Sequence, residues 1–382
     1  MKSPYSPHSY KIKILTPVYI GGAKENDYYR GIDYFFNDDT NEYWFVNKNA
    51  FLKGLTNNQA NRYSNSLSSG NTDDAERFLS EICESKGSLI QKKCYCPFKL
   101  QDSIRKHITS GAGSAYIPGS SLKGALRSCL GKHLMKRLNI SSFKTEELFG
   151  SINNNFMKLL QVTDIDFKSA TDIIPFKVFS GDVAENITFV NRKLEYEGTG
   201  MWKRQSKGGH VDVFEETGFV TLFETLRANS ESTVRLNCAD GVTNIWGSKK
   251  PVNYNLFSEI NGYQWMKIAR DQMNEYLDQE IIFFKKFPNN DFVVANELLE
   301  ELKELNNYEN SVIIKIGQGS GFHAITGNWK YKDHTQTGRA IDRHNNFINA
   351  INYKTRKVAF KESSLDPGQL DFMFPGFVQL SF

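Results

Sequence analysis

The stretch Tyr116-Ile117-Pro118-Gly119-Ser120-Ser121-Leu122-Lys123-Gly124-Ala125-Leu126-Arg127 constrains this chain more than any other. Pro118 and Gly119 punctuate a short extended segment. Ser120 or Ser121 then offers a hydroxyl that can cap a helix by accepting a bond from a free backbone N–H. From there Leu122, Ala125, Leu126, Cys129, Leu130, Leu134 and Leu138 recur three and four apart, the stripe of one buried helix face. The spacing predicts a helix to about Asn139. Lys123 and Arg127 fall one turn apart near its start. Free N–H groups, the positive end of the helix dipole and two cations together describe a phosphate site.

Charge supports a polyanion more through its distribution than its sum. The net charge over 382 residues is only +4. Ser103 to Thr145, however, contains no acid and holds Arg105, Lys106, Lys123, Arg127, Lys132, Lys136, Arg137 and Lys144. From His323 to Lys361 a second basic region, including Arg339, Arg343, Arg356 and Lys357, faces only Asp333 and Asp342. Between them Glu297, Glu300, Glu301 and Glu304 make one helix acidic. Such segregation fits a polyanion surface on one side and solvent or a protein partner on the other.

A second motif follows the strand predicted over Ser311 to Ile316. Gly317-Gln318-Gly319-Ser320-Gly321-Phe322 allows positive φ values and close backbone approach to a ligand. Its spacing is neither that of a dinucleotide fold nor that of a P-loop, which argues against an NTP site.

Elsewhere the patterns are more ordinary. Tyr10 to Thr16 alternates as a half-buried strand, and Asp33–Phe36 with Glu42–Val46 reads as a hairpin. Thr56 to Asp74 is rich in Asn and Ser and reads as a mobile insertion. Leu159 to Asp164, Phe176 to Ser180, Asn186 to Val190 and Thr217 to Leu226 are strand candidates. Glu197 to His210 is a Gly-rich loop whose Trp202, Lys203 and Arg204 either stack on a base and hold a phosphate or form an exposed turn. Trp265, Met266, Ala269, Met273, Tyr276 and Leu277 mark a core helix. The tail from Pro367 to Phe382 shows no diagnostic pattern. Five cysteines without regular spacing argue against a disulfide scaffold. Cys94 and Cys96 could form a metal site with Cys83 or His107, and the cysteines are read as free thiols in preference to that. No apolar run of transmembrane length is present, so a cytoplasmic protein is expected.

Ile-Pro-Gly-Ser-Ser-Leu-Lys-Gly-Ala-Leu-Arg resembles the signature of the RAMP proteins, the repeat-associated mysterious proteins of CRISPR effector complexes. The opening strand running into Pro17-Val18-Tyr19-Ile20-Gly21-Gly22, the Val162-Thr163-Asp164 segment after the helix, and the late glycine loop resemble the same family. The resemblance implies an α+β fold of two ferredoxin-like β-α-β-β-α-β units with insertions, divided as residues 1–230 and 231–382. The combination looks most like the type III-A subunit that caps the 3′ end of the CRISPR RNA (crRNA). Its implied partners are crRNA, the backbone RAMP subunit and other subunits of the effector. Its implied role is to bind the guide and contribute to its maturation in antiviral defence, without catalysis, cofactor or metal. The RNA-binding residues expected are Gly119, Ser120, Ser121, Lys123, Arg127, Lys203, Arg204, Gly317, Gly319, Gly321 and His323. A type III-B RAMP subunit is the neighbouring reading. The rival class is a RAMP-type endoribonuclease, with Asp27 or Asp33 near the first strand and a histidine among His107, His133, His210, His323, His334 and His344. No acid–base pair is recognisable among these, and His323 is the first to test.

Overall fold

The computed structural model describes residues 8–23, 26–99, 103–139, 145–168, 171–182, 187–190, 193–196, 199–205, 209–211, 213–238, 264–285, 293–319, 324, 339–341, 347–349, 355–366 and 368–381. The architecture is mixed α+β. A five-stranded sheet runs in the order Ser311–Lys315, Phe377–Ser381, His8–Ile14, Glu231–Cys238, Leu160–Val162, with every neighbouring pair antiparallel. Alternation dictates its faces. Tyr10, Ile12 and Ile14 point inward, while Ser9 and Lys11 remain exposed. The inward face is covered by helices Gly119–Leu138 and Gln264–Phe284. Ile12, Leu122, Leu126, Val234, Ala269, Ile314 and Leu380 belong to the core between them, and Trp265 meets Tyr10 edge-on at 5.5 Å.

His8–Ile14, helix Gly119–Leu138 and Leu160–Val162 form a split β-α-β unit with Glu231–Cys238 between the strands. The strand beside His8–Ile14 on the other side is not Ser311–Lys315 but Phe377–Ser381, from the tail that looked undiagnostic. Ser311–Lys315 lies outside it as an edge strand. The described elements lay out this arrangement once. The second large sheet is built differently, on the long strand Thr171–Asp182. That strand pairs antiparallel with Val220–Leu226, Thr199–Lys203 and Thr355–Glu362. Ser103–Arg105 joins Val220–Leu226 in parallel. Its core against helices Gln264–Phe284 and Val293–Asn306 includes Phe179, Trp202, Leu277, Phe284, Leu302 and Phe372. The boundary expected at residue 230 is crossed by both sheets, since residues 231–236 pair with 8–13 and residues 355–359 with 176–180.

Two segments depart from expectation. Thr56 to Asp74 is not an irregular insertion: helix Asn57–Ser68 occupies most of it, and helix Thr72–Ser85 follows. A capping box between Thr56 and Gln59 starts the first helix. Buried Tyr63 anchors it by stacking on Phe78 at 5.6 Å and donating to Gly31 O at 2.8 Å. Residues 199–203 are a strand and not a loop, and Trp202 is fully buried against Phe179, Phe214 and Phe372. It cannot stack on a base. Among the described residues, no helix is long and apolar enough to cross a membrane.

Candidate nucleic-acid interface

Sheet topology brings the two glycine-bearing turns together. His8–Ile14 and Ser311–Lys315 are both antiparallel to Phe377–Ser381, so they end at the same end of the sheet. Pro17–Gly22 and Gly317–Gly319 emerge there side by side, and Gln318 N–H donates to Tyr19 O at 2.8 Å. Gly317 has φ +84°, and a Cβ on it would lie 2.5 Å from Tyr19 O. Only glycine combines that backbone with that approach. Gly319, φ +94°, rests on Phe176, Pro375 and the Lys357 stem.

His107 ties the same turn to the signature segment. Ile20 N–H donates to His107 Nδ1 at 3.3 Å, and His107 Nε2 lies 3.1 Å from Tyr116 O. Nδ1 accepts, so Nε2 carries the proton and donates to the carbonyl. Burial holds the His107 pKa below its usual range. A neutral ring with both nitrogens engaged positions the backbone and is not poised as a general base. Beneath it Glu224 accepts from the His107 backbone N–H at 3.1 Å, from Thr171 at 2.7 Å and from Lys92 at 2.6 Å. Burial raises the Glu224 pKa, but Lys92 and the hydrogen bonds outweigh it and keep the carboxyl below its usual range.

One cation from each basic region also reaches this end. Lys357 lies over the Phe223 ring at 5.2 Å, and its pKa is lowered by burial and then by Arg105. Arg105, one-third exposed, bridges Asp27 at 2.5 Å. Tyr19 and Phe176 pack on Phe223 at 4.7 and 4.4 Å. Arg105 and Lys357 were absent from the expected site because they lie 252 positions apart (357 minus 105) and share no motif. Membership of the two basic regions was their only sequence signal.

The helix mouth corrects the expectation drawn from it. Pro118, and neither Ser120 nor Ser121, occupies the cap position, and no side chain of the cap residue satisfies the first turn. Asp164 does so instead, accepting from Gly119 N–H at 2.7 Å, while Ser121 N–H donates to Pro118 O at 2.9 Å. A carboxylate therefore already sits at the positive end of the helix. The helix start is not an open cradle of free N–H groups. Gly119 is required for packing, since a Cβ would lie 2.2 Å from Val162 O. Lys123 and Arg127 do share a face. The Lys123 pKa is lowered by burial and then by Arg127, and the Arg127 guanidinium lies over Phe149 at 4.8 Å. Leu122, Ile20 and Ile316 belong to one apolar cluster, which connects helix mouth, opening turn and glycine turn.

Lys203 ends strand Thr199–Lys203 of the second sheet, and Arg204 follows it. Lys203 sits over Phe219 at 4.4 Å, and exposed Arg204 is 3.5 Å from Glu215. Gly321 and His323, with His334 and His344, fall outside the described residues. Asp27 and Asp33 are engaged, Asp33 by Lys48 at 2.7 Å and Tyr29 N–H at 2.9 Å. Cys83 belongs to a different cluster from Cys94 and Cys96, and burial pushes these thiols up to about 11, 11 and 12.

No curated protein matches the chain. A chain of a type III-A Csm–crRNA–target RNA ternary complex, solved by cryo-EM, superposes with a TM-score of 0.66 at 14% identity, over 98% of this chain and 100% of its own. Csm5 of T. onnurineus, a crystal structure, superposes with a TM-score of 0.55 at 12% identity, over 96% of this chain and 99% of its own. The RAMP superfamily profile matches residues 11–368, and the protein belongs to the RAMP superfamily.

Proposed function

We propose that this chain is a crRNA-binding subunit of a type III-A CRISPR ribonucleoprotein. It caps the 3′ end of the guide and contributes to its maturation in antiviral defence, by binding and not by catalysis. The observation that carries the reading is the meeting of Pro17–Gly22 with Gly317–Gly319 at one sheet end, beside Arg105 and Lys357. Likeness to a chain of a Csm–crRNA complex and to Csm5 supports it. The partners follow: crRNA, a backbone RAMP subunit and other subunits of the effector. The two-unit ferredoxin-like reading belongs to the same proposal, supported by the presence of two large sheets with separate apolar clusters.

In this reading the glycine turn lets the RNA backbone approach the main chain. Arg105, Lys357, Lys123 and Arg127 supply charge without reading bases. That suits guides of many sequences. Ser120 and Ser121, now first-turn residues, and Lys203, Arg204, Gly321 and His323 complete the proposed contact set. The test is filter binding of guide RNA across a salt series. Arg105→Glu with Lys357→Glu, and separately Lys123→Glu with Arg127→Glu, should weaken binding. Each lost phosphate contact should reduce the log–log salt slope by about 0.7. Unchanged slopes in both pairs reject the assignment. Cleavage of a labelled guide precursor that disappears in His323→Ala, with binding retained, would establish the nuclease alternative.

A further inference from the structure

A small cavity lies between helix Gly119–Leu138, helix Gln264–Phe284 and strand Ser311–Lys315. Ser128, Lys132, Gln272, Tyr276, Lys315 and Ala324 are among its lining residues. Its chemistry is unbalanced. Lys315 is buried and donates to the Tyr276 hydroxyl at 2.8 Å, and Lys132 is half-buried. Among the described residues, neither ammonium has a carboxylate within ion-pairing distance. The acids near them are paired with other cations: Glu280 accepts from Arg356 at 2.7 Å and reaches Lys315 only through the Tyr276 hydroxyl, and Glu275 accepts from Lys136 at 2.6 Å. Positive charge held out of water without a directly paired counter-charge is costly. Gln272 Oε1 adds a second demand. It is buried without a hydrogen-bond partner among the described residues, so it lacks a donor.

We propose that this cavity binds a single proton-bearing phosphate group, with Lys315 and Lys132 as counter-charges and the Gln272 carbonyl accepting the P–OH proton. Size fits the assignment. The cavity measures about 40 Å³; at roughly 10–15 Å³ for each water it takes about three waters. That is room for one phosphate group and too little for a base or a sugar. Proton count separates phosphate from other anions. Hydrogen phosphate brings an O–H to Gln272, whereas sulfate and chloride at neutral pH bring none. The shared chemistry has two sources, free inorganic phosphate and a phosphate at an RNA 3′ end. The site stands apart from the RNA reading, because inorganic phosphate alone tests it.

The experiment is calorimetric titration of the full chain at pH 6.5 and constant ionic strength. Inorganic phosphate should bind at least tenfold more tightly than sulfate. Lys315→Met should abolish binding, and Lys132→Met, at a half-exposed position, should weaken it several-fold with the unfolding midpoint retained. Gln272→Met should erase the preference for phosphate over sulfate. Competition then identifies the source. Displacement of phosphate by a short RNA with a 3′ phosphate, but not by its 3′-hydroxyl counterpart, assigns the site to an RNA end; displacement by neither assigns it to free phosphate. Equal affinity for sulfate and phosphate, no phosphate binding, or full binding in Lys132→Met overturns the proposal.

Discussion

Lys315 is the residue at which burial and charge conflict most directly. Burial lowers its pKa from 10.5 to about 7, with Glu280 raising it and Arg356 lowering it. The groups that face it are known. Tyr276 and Glu280 come from the helix beneath, Arg356 from the second sheet, and Lys132 lines the same cavity. Between pH 7 and 10.5 the unfolded chain keeps the lysine proton that the folded chain has released. Stability therefore rises with pH across that window, by up to about 1.4 kcal/mol per pH unit from this group. Below pH 7 both states hold the proton and the contribution is flat. Urea unfolding of the wild type and Lys315→Met at intervals from pH 6.5 to 9.5 checks this. The variant should lose the upward slope and gain most stability at the low end. Parallel pH profiles for the two proteins would contradict the account.

The decisive element is the helix Gly119–Leu138, whose mouth is closed by a residue 45 positions downstream (164 minus 119). Gly119→Ala forces a Cβ against the Val162 carbonyl, and over-packing of this kind costs about 1–3 kcal/mol. Asp164→Ala should cost about 1 kcal/mol through the lost cap, and Asp164→Asn less, because an amide oxygen still accepts. Denaturant midpoints read all three. This element also separates what sequence periodicity carries from what it does not. Leu122, Leu126, Leu130 and Leu134 repeat at helical spacing, and all four are buried. The cap was illegible because Ser120 and Ser121 satisfy the local rule, while the group that performs the task arrives from the turn after strand Leu160–Val162. Helix Asn57–Ser68 was hidden for the opposite reason. Its capping box was present in the letters, but a single buried anchor, Tyr63, leaves almost no apolar period. Trp202 misled because glycines and lysines surround it in sequence, whereas its contacts come from residues as far away as Phe372.

At the scale of the molecule, the candidate site exists only because the chain's ends meet. Phe377–Ser381 hydrogen-bonds to His8–Ile14 on one side and to Ser311–Lys315 on the other. It is the strand that places Pro17–Gly22 and Gly317–Gly319 at one end. Gly376 completes the junction. Its N–H donates to Pro17 O at 2.9 Å, its carbonyl accepts from Ile316 N–H at 2.8 Å, and its φ is +100°. Both glycine turns thus depend on the last residues of the chain. The glycine motif and the opening motif were each legible as isolated turns, but a five-residue strand bounded by Pro375 and Gly376 carries too short a pattern to announce that it joins them. Removing residues 375–382 should therefore destroy more than a tail. It leaves both neighbouring strands with unpaired edges inside the apolar layer formed by Ile12, Ile14, Val312 and Ile314. The truncated chain should fail to give a cooperative thermal transition and should lose RNA retention at every salt concentration, unlike the charge variants, whose loss is largest at low salt and narrows as salt rises. Expression of residues 1–230 alone should fail likewise, because Glu231–Cys238 separates its two parallel strands. A folded, protease-resistant 1–230 fragment would show instead that the first half closes its sheet without the second.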